Sequence, residues 1–217
     1  MDFNAEVRDW IRGFVDRDVR PVVHEMEARP DADIFPWDIV EKANAVGIGA
    51  LTLSEASGGG GFGLLAAAMT IEELARGDAG IAMTLSKSLH GAELVEQFGS
   101  DSQRRRVLGE YLANGRALFT VSADGPEGGL SRDADEDATS PEATAQRIDG
   151  GWIVNGVKRF VLNADKARYL VVFVPWRGSS RDALTACLLL ESGHAGPETG
   201  PARDTVGRRL AREVDLL

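Results

Sequence analysis

The apolar residues of this chain change their spacing once, near Gly115, and that single change restricts the fold more than any motif does. Before it, apolar side chains recur every three or four residues, the period of an amphipathic helix. After it they come in short runs rich in Val, Phe, Leu and Trp, with turn residues between them, as strands do. Helices and strands segregated in this way predict an α+β protein, because a βαβ fold would alternate them. The expected architecture is an N-terminal all-helical domain, residues 1–115, followed by a small antiparallel β-barrel or sandwich domain, residues 116–217. A chain of 217 residues is long enough to bury a real core.

In the helical part, Val7, Trp10, Ile11, Phe14, Val15 and Val22 mark a first amphipathic helix over 3–27, which Pro21 should kink or break. Pro36 suits a first helical turn, and Trp37, Val40, Ala43 and Val46 mark a short helix that Gly47 can cap. Residues 64–77 and about 80–98 read as two more helices, and Ser100 with Gln103 fits a capping box that opens another. The glycine-rich stretch "SGGGGFGLL" could present N–H groups to a phosphate. It lacks a following Lys-Ser/Thr and a preceding strand, so a flexible connection is the better reading.

In the β part, "RALFTVSA", "GWIVNGVKRFVLNA", "RYLVVFVPW" and "LTACLLLES" read as strands, and 124–142 as an acidic loop. Asn155-Gly156 lies between two of the apolar runs. That dipeptide predicts a hairpin with a type I′ turn, which needs φ > 0 at both central residues.

A net charge of −10 argues against nucleic acid as a partner. No apolar stretch reaches membrane-spanning length, and the acidic N-terminus lacks a signal-peptide core, so a cytoplasmic location is expected. The single cysteine, Cys187, excludes an internal disulfide and reads as a buried strand thiol. His24, His90 and His194 have no ligand spacing, so no metal site is expected. Ser122 lacks a nucleophile-elbow context, and Glu72 and Glu73 with Arg76 read as a solvated ion pair. Residue chemistry by itself assigns no catalytic constellation.

Three longer passages taken together resemble the acyl-CoA dehydrogenase family. "GIGALTLSEASGGGGFGLLAAAMTIEELARGDAGIAMTLS" is similar to that family's glycine-to-helix passage. "FGSDSQRRRVLGEYLANGRALFTVS" is similar to its capped helix and first strand, and "DGGWIVNGVKRFVLNADKARYLVVF" to its flavin-side hairpin. The resemblance covers nearly the whole chain. It implies FAD as cofactor, an acyl-CoA or other acyl thioester as substrate, and a homo- or hetero-oligomer. By position it implies that Phe119, Val121 and Ser122 line the flavin from the first strand, and Phe160, Val161 and Leu162 from the hairpin. Gly129 and Ser131 correspond loosely to an element that helps hold the pyrophosphate.

The departures carry information as well. Leu162 stands where the family has Ser or Thr, so a hydroxyl near the reactive flavin nitrogen is replaced by an apolar group. Ala123-Asp124 replaces the family's Glu-Pro, and about eight extra, mostly acidic residues follow the Gly129–Ser131 region. The family's C-terminal helical domain, which carries the carboxylate base, has no counterpart here, and no Glu of this chain can be assigned that role. Three readings follow: a flavin-dependent α,β-dehydrogenase completed by another polypeptide or segment; a non-catalytic partner subunit that keeps the fold; and a flavin monooxygenase-type relative, which needs no such base.

Overall fold

A computed structural model describes residues 3–28, 34–123, 143–177, 183–193 and 197–217. Helix α1 (Phe3–Phe14) runs through a π-helical stretch, Val15–Val19, into α2 (Arg20–Ala28). Pro21 therefore does not break the helix. The turn before it widens instead, and the Arg20 N–H reaches the Val15 carbonyl five residues back. Val7, Ile11, Phe14, Val15 and Val19 are buried, whereas Trp10 and Val22, expected on the stripe, lie open.

Helix α3 (Trp37–Ala45) ends before Gly47, whose φ of 87° lets the chain reverse. Helix α4 (Leu64–Gly77) is separated from α5 (Ala79–Phe98) by one extended residue, Asp78, whose carboxylate accepts the Ile81 N–H at 2.7 Å. Ser100 and Gln103 form the expected reciprocal capping box at the start of α6 (Asp101–Gln103). That helix continues through the π-helical Arg104–Leu108 into α7 (Gly109–Ala113).

The glycine run is an ordered crossing, neither a flexible connection nor an anion cradle. The N–H groups of Gly58, Gly59, Gly60, Gly61 and Phe62 are all spent on carbonyls of residues 50–55. A Cβ on Gly59 would lie 2.3 Å from the Leu53 carbonyl oxygen, so the close backbone approach requires glycine.

The strands are β1 (Phe119–Ser122), β2 (Thr144–Ile148), β3 (Gly151–Asn155), β4 (Lys158–Leu162), β5 (Tyr169–Arg177), β6 (Ala183–Glu191) and β7 (Glu213–Leu216). The expected purely antiparallel pairing is not what they form. β5 is central, antiparallel to β6 but parallel to both β1 and β2, so the sheet is mixed. The chain between β1 and β5 is long enough for a parallel crossover. Among the described residues the strands make a five-stranded sheet and a separate β4–β7 pair, with no closed barrel.

The expected hairpin is corrected too. β3 pairs with β2 across Asp149-Gly150, where Gly150 has φ 82°. Asn155 is the last β3 residue in that ladder and is not in the positive-φ region, so no type I′ turn forms at Asn155-Gly156. That dipeptide is a corner at which the chain leaves one sheet and joins β7 in the other. Cys187 lies in a strand as expected, but on an exposed face, and partial burial raises its thiol pKa.

One of the core clusters joins helices to strands. The Phe119 ring stacks on Tyr169 with centroids 4.9 Å apart and meets the edge of Tyr111 at 5.0 Å. Gly91 permits this, since a Cβ there would sit 2.4 Å from the Phe119 Cβ. A relay of hydrogen bonds crosses the same seam. The Phe119 N–H donates to Ser88 Oγ (3.1 Å), Ser88 to the Tyr111 hydroxyl (3.2 Å), and Tyr111 to the Gly49 carbonyl (2.7 Å). Burial pushes the Tyr111 phenol up to about 12, so it remains a donor.

Glu73 is not solvated as expected. Its carboxylate is 4% exposed and accepts Arg12 at 2.6 Å and Arg76 at 3.0 Å, which fastens α1 to α4.

Candidate functional site

Alternation along β1 sends Phe119 and Val121 into the core shared with the helices, and Thr120 and Ser122 to the opposite face. On that opposite face the Thr120 hydroxyl donates to the carbonyl of Leu162. This contact joins β1 to β4 and brings the Ser122 side of one strand beside the end of the other. Leu162 and Ser122 are both largely buried there.

β4 carries an irregularity between Lys158 and Val161, and within it Phe160 adopts φ 58°. A left-handed aromatic residue is unfavourable without external support. Support comes from Asp215, which accepts the Phe160 N–H at 3.2 Å. Arg203 grips both oxygens of Asp215, at 2.9 and 2.8 Å, and places its guanidinium 4.5 Å from the centre of the Phe160 ring. Burial pushes the Asp215 carboxyl up, but the hydrogen bonds from Arg203 and Phe160 outweigh it and hold the group below the usual carboxylate range. The result is an aromatic ring presented at the surface, 55% exposed, while Val161 and Leu162 on either side of the pleat point inward.

Asn163 ends β4 at φ 56°, a conformation that asparagine tolerates better than most residues. Its side chain accepts the Arg212 N–H at 2.8 Å and donates to Thr84 of α5 at 2.9 Å. Leu162 and its neighbours are thereby held against the start of α5. The carboxylates flanking this stretch are each paired with an arginine: Asp165 to Arg212 at 2.6 Å, Glu213 to Arg208 at 2.5 Å, and Asp215 to Arg203, although Asp165 Oδ1 is buried without a hydrogen-bond partner.

A groove of about 270 Å³ runs between α4 and α5, floored by Ile71, Ala75, Ala82 and Met83, with Lys87 and His90 at one end. Met83, in the middle of that lining, also accepts the Arg208 guanidinium at 4.0 Å. Among the described residues no helix is long and apolar enough to cross a membrane. Nor does any group of three or more His, Cys, Asp or Glu among them form a metal-binding set.

The residues named from the sequence thus fall into three groups. Ser122, Phe160 and Leu162 lie on the β1–β4 face, Phe160 open and the other two at its buried edge. Phe119, Val121 and Val161 pack into the cores behind it. Gly129 and Ser131 lie outside the described residues. Sequence reasoning missed Thr120, Asn163, Arg203 and Asp215. Alternation within "FTVS" and the turn-prone Asn of "LNAD" offered a signal for the first two. Arg203 and Asp215 carry none, since their role depends on β7 reaching β4.

The described residues are compatible with the ring system of a flavin: a partly exposed aromatic ring with the Arg203 guanidinium over it, a buried apolar edge at Leu162 and a buried hydroxyl at Ser122, with each adjacent carboxylate paired to an arginine.

Comparison with known proteins bears on the same segments. Residues 2–115 match the family model "Acyl-CoA dehydrogenase, N-terminal domain", and 131–216 match "Acyl-CoA dehydrogenase, middle domain". The mitochondrial short-chain specific acyl-CoA dehydrogenase of Rattus norvegicus is 25% identical over 97% of this chain and 49% of its own length. The butyryl-CoA dehydrogenase of Megasphaera elsdenii superposes with a TM-score of 0.81 at 26% identity, over 100% of this chain and 55% of that one. An acyl-CoA dehydrogenase from Bacillus anthracis, complexed with FAD, has the same fold, with a TM-score of 0.79 at 20% identity over 100% of this chain and 35% of that one. The chain spans about half the length of the curated relatives it matches. With both matched segments in the family's order and more than half of the residues under its first model, this chain belongs to the acyl-CoA dehydrogenase family.

Proposed function

We propose that this chain is the flavin-side portion of an FAD-dependent oxidoreductase that carries out α,β-dehydrogenation of an acyl thioester. The observation that supports this most is Phe160: a strained, exposed aromatic held in place by Asp215 and Arg203, on the same strand as Leu162. FAD, when bound, supplies the acceptor for the hydride that leaves the β-carbon.

The chain's own residues would then act as follows. Phe160 offers its ring as a platform for the isoalloxazine. Ser122 offers a hydroxyl donor from β1. Leu162 keeps water from that edge and offers no side-chain donor, which leaves only main-chain groups there. Thr120 holds β1 and β4 at a fixed separation, while Phe119, Val121 and Val161 brace the face from behind. Gly129 and Ser131 would contribute to the diphosphate. The α4–α5 groove would take the acyl chain.

Among the described residues, the carboxylates on this face, Asp165, Glu213 and Asp215, are each held in an ion pair with an arginine. The base is therefore proposed to come from another segment or polypeptide, in a homo- or hetero-oligomer whose contacts would cover exposed apolar side chains such as Leu64, Leu65 and Phe98. The same pairing favours a second reading, a partner subunit that keeps the flavin face without catalysis. On either reading, 1–115 and 116–217 are taken as the two domains and the cytoplasm as the compartment.

The experiment is a visible spectrum of the purified protein loaded with FAD, compared with Leu162→Thr. A flavin on this face predicts a shifted flavin band in the variant, because a hydroxyl donor has been restored. A variant that merely loses about 1–3 kcal/mol of stability from an unpartnered hydroxyl, with the flavin band unmoved, would exclude the flavin-facing role of Leu162.

A further inference from the structure

We infer that the open edge of β6 pairs with β6 of a second copy of this chain, antiparallel and about a two-fold axis at Cys187. This is an assembly surface, and it does not depend on the flavin reading above.

β6 runs antiparallel to β5 along its whole length, Ala183–Glu191 against Tyr169–Arg177, without a register shift. Among the described residues no strand pairs with its other side. Main-chain alternation identifies the groups left open there. The Ser192 N–H donates to the Arg168 carbonyl at 2.9 Å. Residues two apart on an antiparallel strand bond to the same neighbour, so Leu190, Leu188 and Ala186 bond to β5. Glu191, Leu189, Cys187 and Thr185 therefore turn their N–H and C=O groups outward. Such an edge is a template for another strand unless charge, proline or a bulge blunts it. Residues 183–190 contain neither a charged residue nor a proline. Glu191 ends the strand and is held by Arg106 at 2.5 Å and Arg168 at 3.7 Å.

Charge selects the partner strand and its direction. Parallel pairing in register would set Glu191 on Glu191. Antiparallel pairing about Cys187, the middle residue of Ala183–Glu191, sets each Glu191 opposite position 183 at the far end of the seam. A chain of net charge −10 thereby brings no like charges together across the edge. Cys187 then faces Cys187, Thr185 faces Leu189, and each outward N–H meets a carbonyl. A two-fold axis closes the pair, so strand addition stops at two copies. Cys187 and Leu189 also line an apolar cavity of about 110 Å³ together with Phe98, which is 74% exposed. The second strand continues that apolar surface across the seam.

Cys187 is the only cysteine and so reports on the seam directly. Facing residues of a hydrogen-bonded antiparallel pair have Cα atoms about 5.5 Å apart, within disulfide reach. The test combines light scattering with copper–phenanthroline oxidation and a non-reducing gel, on the wild type, Thr185→Pro, Thr185→Glu and Thr185→Lys. The wild type is expected to be dimeric at this seam and to link through Cys187. Thr185→Pro removes an outward N–H that β5 does not use, and should weaken the dimer about tenfold or more. Glutamate at 185 would lie diagonal to Glu191 of the other copy and should weaken it severalfold, whereas lysine there should not. Melting temperatures check that each variant keeps the fold. A monomeric wild type, whose edge would then be open to an extended segment of a different protein, overturns the inference. So does an assembly whose Cys187 residues fail to link, or linkage equally fast in the wild type and all three variants.

Discussion

Thr120 donates its hydroxyl to the main-chain carbonyl of Leu162, and both residues are buried. One side-chain bond thereby joins the first strand of the five-stranded sheet to the strand that carries Phe160. Thr120→Val keeps the shape and leaves the Leu162 carbonyl without this donor. The expected loss is about 1–3 kcal/mol, read as a lower urea midpoint with an unchanged slope. Thr120→Ser should recover most of it. A valine variant as stable as the wild type would show that the bond does not hold the strands together.

Glu73 makes the stability of the helical part depend on pH. Its hydrogen bond from Arg12, opposed by burial and helped by Arg76, holds the carboxyl below the usual glutamate range. A carboxyl depressed in the folded state stabilises it above the unfolded-state pKa, and that contribution is lost as pH falls through the folded value. Glu73→Gln should therefore be less stable than the wild type at pH 7, with the gap closing toward pH 3. Urea midpoints across that range measure it, and a gap constant with pH would refute the assignment.

Two glycine-to-alanine changes should move stability in opposite directions. At Gly59 a Cβ would meet the Leu53 carbonyl oxygen at 2.3 Å, so the crossing must open, at a cost of about 1–3 kcal/mol. Gly109 opens α7 in ordinary helical geometry with nothing within 4 Å of an added Cβ. Alanine there should stabilise by about 0.4–1 kcal/mol. Paired thermal melts decide both, and a destabilised Gly109→Ala would mean the α7 reading is wrong.

What was legible in the sequence was local. Helix α4, the capping box at Ser100 and the reversal at Gly47 each depend on residues within a turn or two of one another, and each forms as expected. The hairpin was misplaced because Asp149-Gly150 and Asn155-Gly156 carry nearly the same signal. The choice between them is made by β7, which arrives from the far end of the chain to pair with β4. The usual effect of proline predicts a break at Pro21, and a π-helical turn absorbs it instead. The site divides in the same way. Phe160 and Leu162 could be named only through the resemblance of their segment to the family, whereas the strained backbone of Phe160 and its support by Asp215 and Arg203 depend on long-range contacts. The parallel pairing of β1 with β5 is of the same kind.

The central claim is that the β1–β4 face binds flavin through Phe160. Titration of the flavin-free protein with FAD, followed by quenching of flavin fluorescence, tests it most directly when run on the wild type, Phe160→Ala and Trp152→Ala. Trp152 is an exposed aromatic on β3, in the other sheet, and serves as the control. Saturable binding by the wild type, weakened about tenfold in Phe160→Ala and unchanged in Trp152→Ala, is the predicted result, since losing a stacked ring costs on the order of 1 kcal/mol or more. Equal FAD affinity in the wild type and Phe160→Ala, or no saturable binding by the wild type, would contradict the account.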